Sequence, residues 1–182
     1  MSRQKNIEAT LNKFGKYVVQ QAKSNLSKKG KNVSKELYNS ISYDVNVSKE
    51  GTSFSFVLNM EDYGEFQDKG VKGKSSSAKA PESPFRFGSG KGKKGGLRES
   101  IPKWVRAKRF QFRDRKTGKF MSYDSTAFLI ARSIYQKGIA PSNFYSRPFG
   151  LAFKQLPPEI VEAFRLTNED FQQFTRKWVY QQ

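Results

Sequence analysis

The chain contains no cysteine and no histidine. Without cysteine there is no disulfide framework, no thiol nucleophile and no thiolate metal site. Without histidine there is no Ser–His–Asp apparatus, no imidazole base near neutral pH and no conventional zinc centre. Carboxylate, lysine, tyrosine and serine are what remain for chemistry, so no catalytic residue, cofactor or metal is expected. Long apolar runs are missing too. The longest, Ala127 to Ala131, falls far short of the roughly 18–20 residues of a membrane span. Met1 to Lys5 lead into no apolar stretch, so neither a secretory leader nor a membrane partner is expected. The expectation is a protein of the cytoplasm or of something assembled there.

Acidic residues are also scarce, 16 against 34 Lys and Arg, for a net charge of +18. The excess is concentrated. Residues 69–119 hold 17 Lys and Arg against Glu82, Glu99 and Asp114, a local net charge of +14. Such a patch repels itself unless an anion or an acidic partner neutralises it. Nucleic-acid phosphate is the commonest such partner, and binding of that kind weakens steeply with salt. Three readings stand for this insert: the lining of a DNA path, a grip on an acidic neighbour, or a solvated loop. The contacts expected on the first two are Lys91, Lys93, Lys94, Arg106, Lys108, Arg109, Arg113, Arg115 and Lys116.

What is abundant is phenylalanine, 16 residues, with aromatics at 14%. That points to a folded chain with a Phe-built core rather than a disordered one. Ile7, Leu11, Phe14, Val18, Ala22 and Leu26 recur at steps of three or four and predict an amphipathic helix over 5–27, stopped near Gly30. Ile41 to Val47 and Phe54 to Leu58 alternate with period two and predict an antiparallel hairpin with one buried face. Residues 60–69 read as a short helix or a bent strand. Residues 70–96, rich in Gly, Ser, Lys and Pro, read as an extended loop without enough apolar surface to order itself.

Beyond it, Leu97, Ile101, Trp104 and Val105 predict a helix with Pro102 in its first turn and Trp104 as its buried anchor. A small hairpin is expected over 110–121. A helix capped by Asp124 or Ser125 follows, with Phe128, Ala131, Ile134 and Tyr135 inward and Gly138 as its stop. Pro148 is expected at the first position of a further helix carrying Phe149, Ala152, Phe153 and Leu156, broken by Pro157-Pro158. Asn168 is read as the cap of a last helix bearing Phe171, Phe174 and Trp178. Helices and hairpins without regular βαβ alternation predict an α+β fold, helices packed on a small antiparallel sheet. The expected organisation is one core domain over 1–156 with the basic insert at 69–119, and a C-terminal helical extension or arm over 157–182.

Three further patterns bear on chemistry more weakly. Asp62, Glu65 and Asp68, three apart, would share a face on a helix and could in principle hold Mg²⁺. Lys91 to Gly96 lacks the Gly-Lys-Ser/Thr order and the preceding apolar strand of a phosphate loop. Trp104 among Lys103, Arg106, Lys108 and Arg109 interleaves aromatic and basic residues, a pattern that can stack bases.

Two short segments say most. Tyr63-Gly64-Glu65-Phe66, with Gly70, follows the hairpin; Gly138, Pro141 and Arg147-Pro148-Phe149 lead into a later helix. Together, over roughly residues 5–155, the chain resembles the neck, head–tail connector and tail-completion proteins of tailed bacteriophages. It departs from that pattern in Gln67-Asp68-Lys69, which intervene before Gly70, and in the length of the insert. The resemblance implies a non-enzymatic virion protein, a closed ring of six or twelve copies at the head–tail junction. Such a ring would meet the portal complex or connector on one side and tail proteins on the other, and let DNA pass through its lumen. It makes Tyr63, Glu65, Phe66, Arg147, Pro148 and Phe149 the expected interface residues. For Tyr63 and Phe66 a core role is the competing reading. The alternative function is sequence-independent nucleic-acid binding.

Overall fold

In a computed structural model of the chain, the described residues are 3–30, 35–49, 53–89, 96–158 and 160. They form an α+β protein that divides into two compact units. One comprises residues 1–62 with 143–182, the other residues 63–142.

The first unit is organised by α1 (Arg3–Lys28), whose buried side chains are Leu11, Phe14, Val18, Ala22 and Leu26, the stripe that the sequence spacing predicts. Each of the larger ones, Leu11, Phe14, Val18 and Leu26, contributes about 1.5–3 kcal/mol by its burial. A short helix, α2 (Glu36–Ser40), leads into β1 (Ser42–Val47), which pairs antiparallel with β2 (Phe54–Asn59) in the register Val45 opposite Phe56. Alternate residues of the hairpin, Val45, Val47, Phe54, Phe56 and Leu58, pack against Leu11, Phe14 and Val18. Gly15 clears the way: a Cβ there would lie 2.5 Å from the Tyr43 ring. The Tyr43 hydroxyl donates to the Asn12 carbonyl at 3.2 Å.

The last described helix, α6 (Ser146–Phe153), closes this core with Ala152, Phe153 and, just beyond it, Leu156 and Ile160. Pro148 is its third residue rather than its first, and the helix ends at Phe153, ahead of Pro157. Phe149 meets Phe14 edge-on with ring centroids 5.0 Å apart and stacks near Phe153. Aromatic pairs of this kind add about 0.5–1.5 kcal/mol beyond their buried area. A second cluster, Ala22, Leu26, Leu37, Ile41 and Phe144, extends the core, and Asn25 Nδ2 donates to the Phe144 carbonyl at 3.1 Å.

The second unit is built differently. Its elements are α3 (Gly64–Lys69), β3 (Val71–Lys72), α4 (Gly96–Ala107), α5 (Tyr123–Lys137) and β4 (Gly138–Ile139), with β3 antiparallel to β4. Its buried residues are small or polar: Asp68, Val71, Ala80, Ser83, Val105, Thr126, Ala127 and Ser142. Backbone hydrogen bonds replace bulk. Lys72 N donates to Phe85 O at 2.8 Å, Phe87 N to Lys72 O at 2.9 Å and Lys74 N to Tyr135 O at 2.9 Å. Residues 70–89 are therefore an ordered, hydrogen-bonded segment, which corrects the loop expected there. Composition predicted too little apolar burial, but satisfied backbone groups need no bulky side chains.

Three further corrections concern the helices of this unit. Pro102 lies in the interior of α4, not its first turn, where it removes the hydrogen bond to the Arg98 carbonyl. Val105, fully buried, anchors α4, whereas Trp104 is exposed. The cap of α5 is Ser122, whose hydroxyl accepts from Ser125 N at 3.1 Å, and the helix buries Thr126 and Ala127 while Phe128 points outward. The small hairpin expected over 110–121 is present: Arg113 bridges Phe120 antiparallel, Asp114 N donates to Lys119 O and Met121 N to Phe112 O, with Gly118 in the turn. Asn168, Phe171, Phe174 and Trp178 lie outside the described residues, as do Lys91, Lys93 and Lys94.

Candidate functional site

Within the second unit the first motif meets the opening of the second, residues 138–141. α3 ends at Gly70, with φ 71° and ψ −178°, and α5 ends at Gly138, with φ 83° and ψ −179°. Both conformations fall in a region open in practice only to glycine. The reason lies in how closely the two backbones cross. A Cβ on Gly70 would sit 2.5 Å from the Ile139 carbonyl oxygen and 2.7 Å from Pro141 N. One on Gly138 would overlap the Val71 carbonyl oxygen, and one on Gly73 the Gln136 carbonyl. The pairing of Val71 with Ile139 and of Lys72 with Gly138 runs through this crossing.

Serines lock it. Ser142 N donates to Gln67 O at 3.1 Å and Asp68 O at 2.9 Å, and its hydroxyl donates to Gln67 O at 2.5 Å. The last carbonyls of α3 are thereby satisfied from the second motif. Ser83 Oγ donates to Gly70 O at 2.7 Å and accepts from Phe85 N. Asp68 is fully enclosed, and Gln67 Oε1 is buried with no hydrogen-bond partner among the described residues. Glycine at positions 70 and 138 is readable from sequence as a stop signal. The serine contributions of Ser83 and Ser142 carry no signal of their own, because they depend on which chain segments meet.

The crossing mounts α3 with its aromatic residues outward. Tyr63 is 38% exposed and Phe66 41% exposed, with Phe66 held edge-on to Phe85 at 4.6 Å between centroids. They are not core residues. Glu65 is half-buried on the same helix. Asp62 precedes α3 while Asp68 is buried inside it, so the acidic trio shares no exposed face. Among the described residues no group of three acidic side chains is placed to hold a metal ion. In the first unit, Pro148 is buried and Phe149 packs among Phe14, Phe56 and Phe153, while Arg147 is exposed. Of these three expected interface residues, two therefore serve the core.

A second concentration of features lies at the C-terminal end of α4. Arg109 N donates to Arg106 O and Phe110 N to Val105 O, the paired bonds of a helix-terminating Schellman turn. The residue at the turn's left-handed position is usually glycine; here it is Arg109, with φ 51°. A non-glycine residue in that conformation costs about 1–2 kcal/mol. The chain then runs along α5, with Phe112 N donating to Thr126 Oγ1 at 3.3 Å and Gln111 Nε2 to Met121 O at 2.8 Å.

Trp104, Phe110 and Phe112 form a connected row of exposed rings, with centroids 6.5 and 5.2 Å apart. Arg113 lies over the Phe120 ring at 4.7 Å. Asp114 closes a turn, accepting from Lys116 N, Thr117 N and the Thr117 hydroxyl through Oδ1. The Thr117 backbone bond first, then its hydroxyl, then Lys116 N hold the Asp114 carboxyl below the usual carboxylate range. Arg106 pairs with Asp124 at 2.8 Å on the surface. Lys108, Arg109, Arg113, Arg115 and Lys116 are all exposed.

No family model, no curated protein and no solved structure matches this chain. No helix among the described residues is long and apolar enough to cross a membrane.

Proposed function

We propose that the chain is a structural virion protein of a tailed bacteriophage, a neck, connector or tail-completion subunit. In this reading it forms a closed ring at the head–tail junction, joins the portal complex to the tail, and acts by assembly rather than catalysis. One observation carries the reading. The first motif and residues 138–141 of the second cross backbone to backbone, and that crossing presents Tyr63 and Phe66 to solvent. Exposed aromatics on a rigid mount are what an assembly contact uses, since little ordering entropy is lost on docking. A head-to-tail contact of this kind closes into a ring when its rotation permits. The order of long helix, hairpin, short helix and later Pro-containing helix also agrees with the resemblance.

Electron microscopy and native mass spectrometry of the protein, alone and mixed with portal, connector and tail proteins, test the proposal. A ring that incorporates the chain is expected, and Phe66→Ala should weaken its incorporation at temperatures where the variant remains folded, the lost Phe85 contact lowering the thermal midpoint only modestly. A chain that stays monomeric with every such partner, and is absent from purified particles, would refute the proposal.

A further inference from the structure

The row of rings at the end of α4 has a chemical logic independent of any ring assembly. Each exposed aromatic has a cation beside it in sequence: Lys103 with Trp104, Arg109 with Phe110, Arg113 with Phe112. The nearby acids are already engaged, Asp114 by its own turn and Asp124 by Arg106. The surface therefore offers exposed rings among cations, with the Asp114 carboxylate tied into its own turn and Asp124 paired with Arg106. Arg109 adds a second observation, since it holds a left-handed position that glycine would fill without strain. Strain kept at one residue points to a use for its side chain.

We propose that this face binds single-stranded nucleic acid. Bases stack on Trp104, Phe110 and Phe112, and backbone phosphates meet Lys108, Arg109 and Arg113. An acidic peptide fits less well. It would satisfy the cations, but the faces of aromatic rings carry negative potential and repel carboxylates. Every base, by contrast, has a face that stacks, whatever its identity. A duplex presents phosphates but keeps its bases stacked on one another, so it leaves the rings unused.

Fluorescence anisotropy with the full chain tests this. The probes are a labelled oligothymidine, an abasic oligomer of equal length, a duplex and a polyglutamate peptide. The oligothymidine is expected to bind at least about fivefold more tightly than the abasic strand, from stacking. Its affinity should fall with salt by a logarithmic slope of about 0.7 per phosphate contacted. Trp104→Ala and Phe112→Ala should each remove part of the preference for the oligothymidine over the abasic strand. Arg109→Gly is the decisive variant. It should raise the thermal midpoint by relieving the left-handed residue, yet weaken oligothymidine binding and shallow the salt slope by about one contact. Equal affinity for abasic and thymidine strands, or tighter binding of polyglutamate or duplex, would overturn the proposal. So would unchanged affinity in a stabilised Arg109→Gly protein.

Discussion

Replacing Gly138 by alanine is the sharpest test of the crossing between the first motif and residues 138–141. Two effects add. The backbone conformation, φ 83° and ψ −179°, costs a non-glycine residue about 1–3 kcal/mol. The new Cβ would also overlap the Val71 carbonyl oxygen and lie 2.6 Å from Gly73 N. Those are backbone atoms of a paired strand, which cannot rotate aside as a side chain would. Overpacking of that kind adds about 1–3 kcal/mol. The sum, about 4 kcal/mol, corresponds to a fall in thermal midpoint of about 8–16 °C for a chain of this size.

Differential scanning fluorimetry reads the midpoint, and hydrogen exchange reads the Lys72 and Lys74 amides, which bond Phe85 O and Tyr135 O. Both amides should exchange faster in Gly138→Ala. Gly118 supplies the control: it has φ 70° with no atom within 4 Å of a Cβ, so alanine there should cost only about 1–2 kcal/mol. If Gly138→Ala proves no worse than Gly118→Ala, steric contact at the crossing contributes nothing and the reasoning fails.

Three other outcomes are expected. Phe14→Ala removes the ring at the centre of the Phe56 and Phe149 contacts and should destabilise by about 3–5 kcal/mol in chemical denaturation. Val105→Ala, at a fully buried site, should cost about 2 kcal/mol, and Trp104→Ala less, although tryptophan is far the larger residue; the reverse ranking in thermal melts would contradict this placement of α4. Lowering pH should release the Asp114 turn. Because its folded carboxyl titrates below the ordinary value of 3.8, the turn's stabilisation is complete above that value and is lost as pH falls through the lower folded one. The Lys116 and Thr117 amide shifts, followed by NMR from about pH 6 to 2, should therefore hold steady until the acid end of the range.

What was legible in the sequence is what short-range periodicity encodes. The stripe from Leu11 to Leu26 and the alternation from Val45 to Leu58 each repeat often enough to fix one face. The second unit has no comparable repeats. β3 and β4 are two residues each and pair across a long separation in sequence, so neither carries a period. Residues 70–89 were misread because composition measures apolar burial, while this segment is ordered through backbone bonds to Phe85, Phe87, Tyr135 and Gln136. On α4 the error was one residue. Trp104 and Val105 are about 100° apart on a helix, and the larger apolar residue is not the one that faces α5.

Gly70 and Gly138 are required by dihedral angles and by a backbone crossing, and Pro148 and Phe149 by the core of the first unit. None of these four needs a partner to explain it. Tyr63, Phe66 and Arg147 are different: Tyr63 stays 38% and Phe66 41% exposed, and Arg147 is exposed as well. Within each unit the motif residues thus separate into those that build it and those displayed from it. An assembly function rests on the displayed set alone. Substitutions at Tyr63, Phe66 or Arg147 should therefore alter association more than stability, whereas substitutions at Gly70, Gly138 or Phe149 should lower stability whether or not a partner is present.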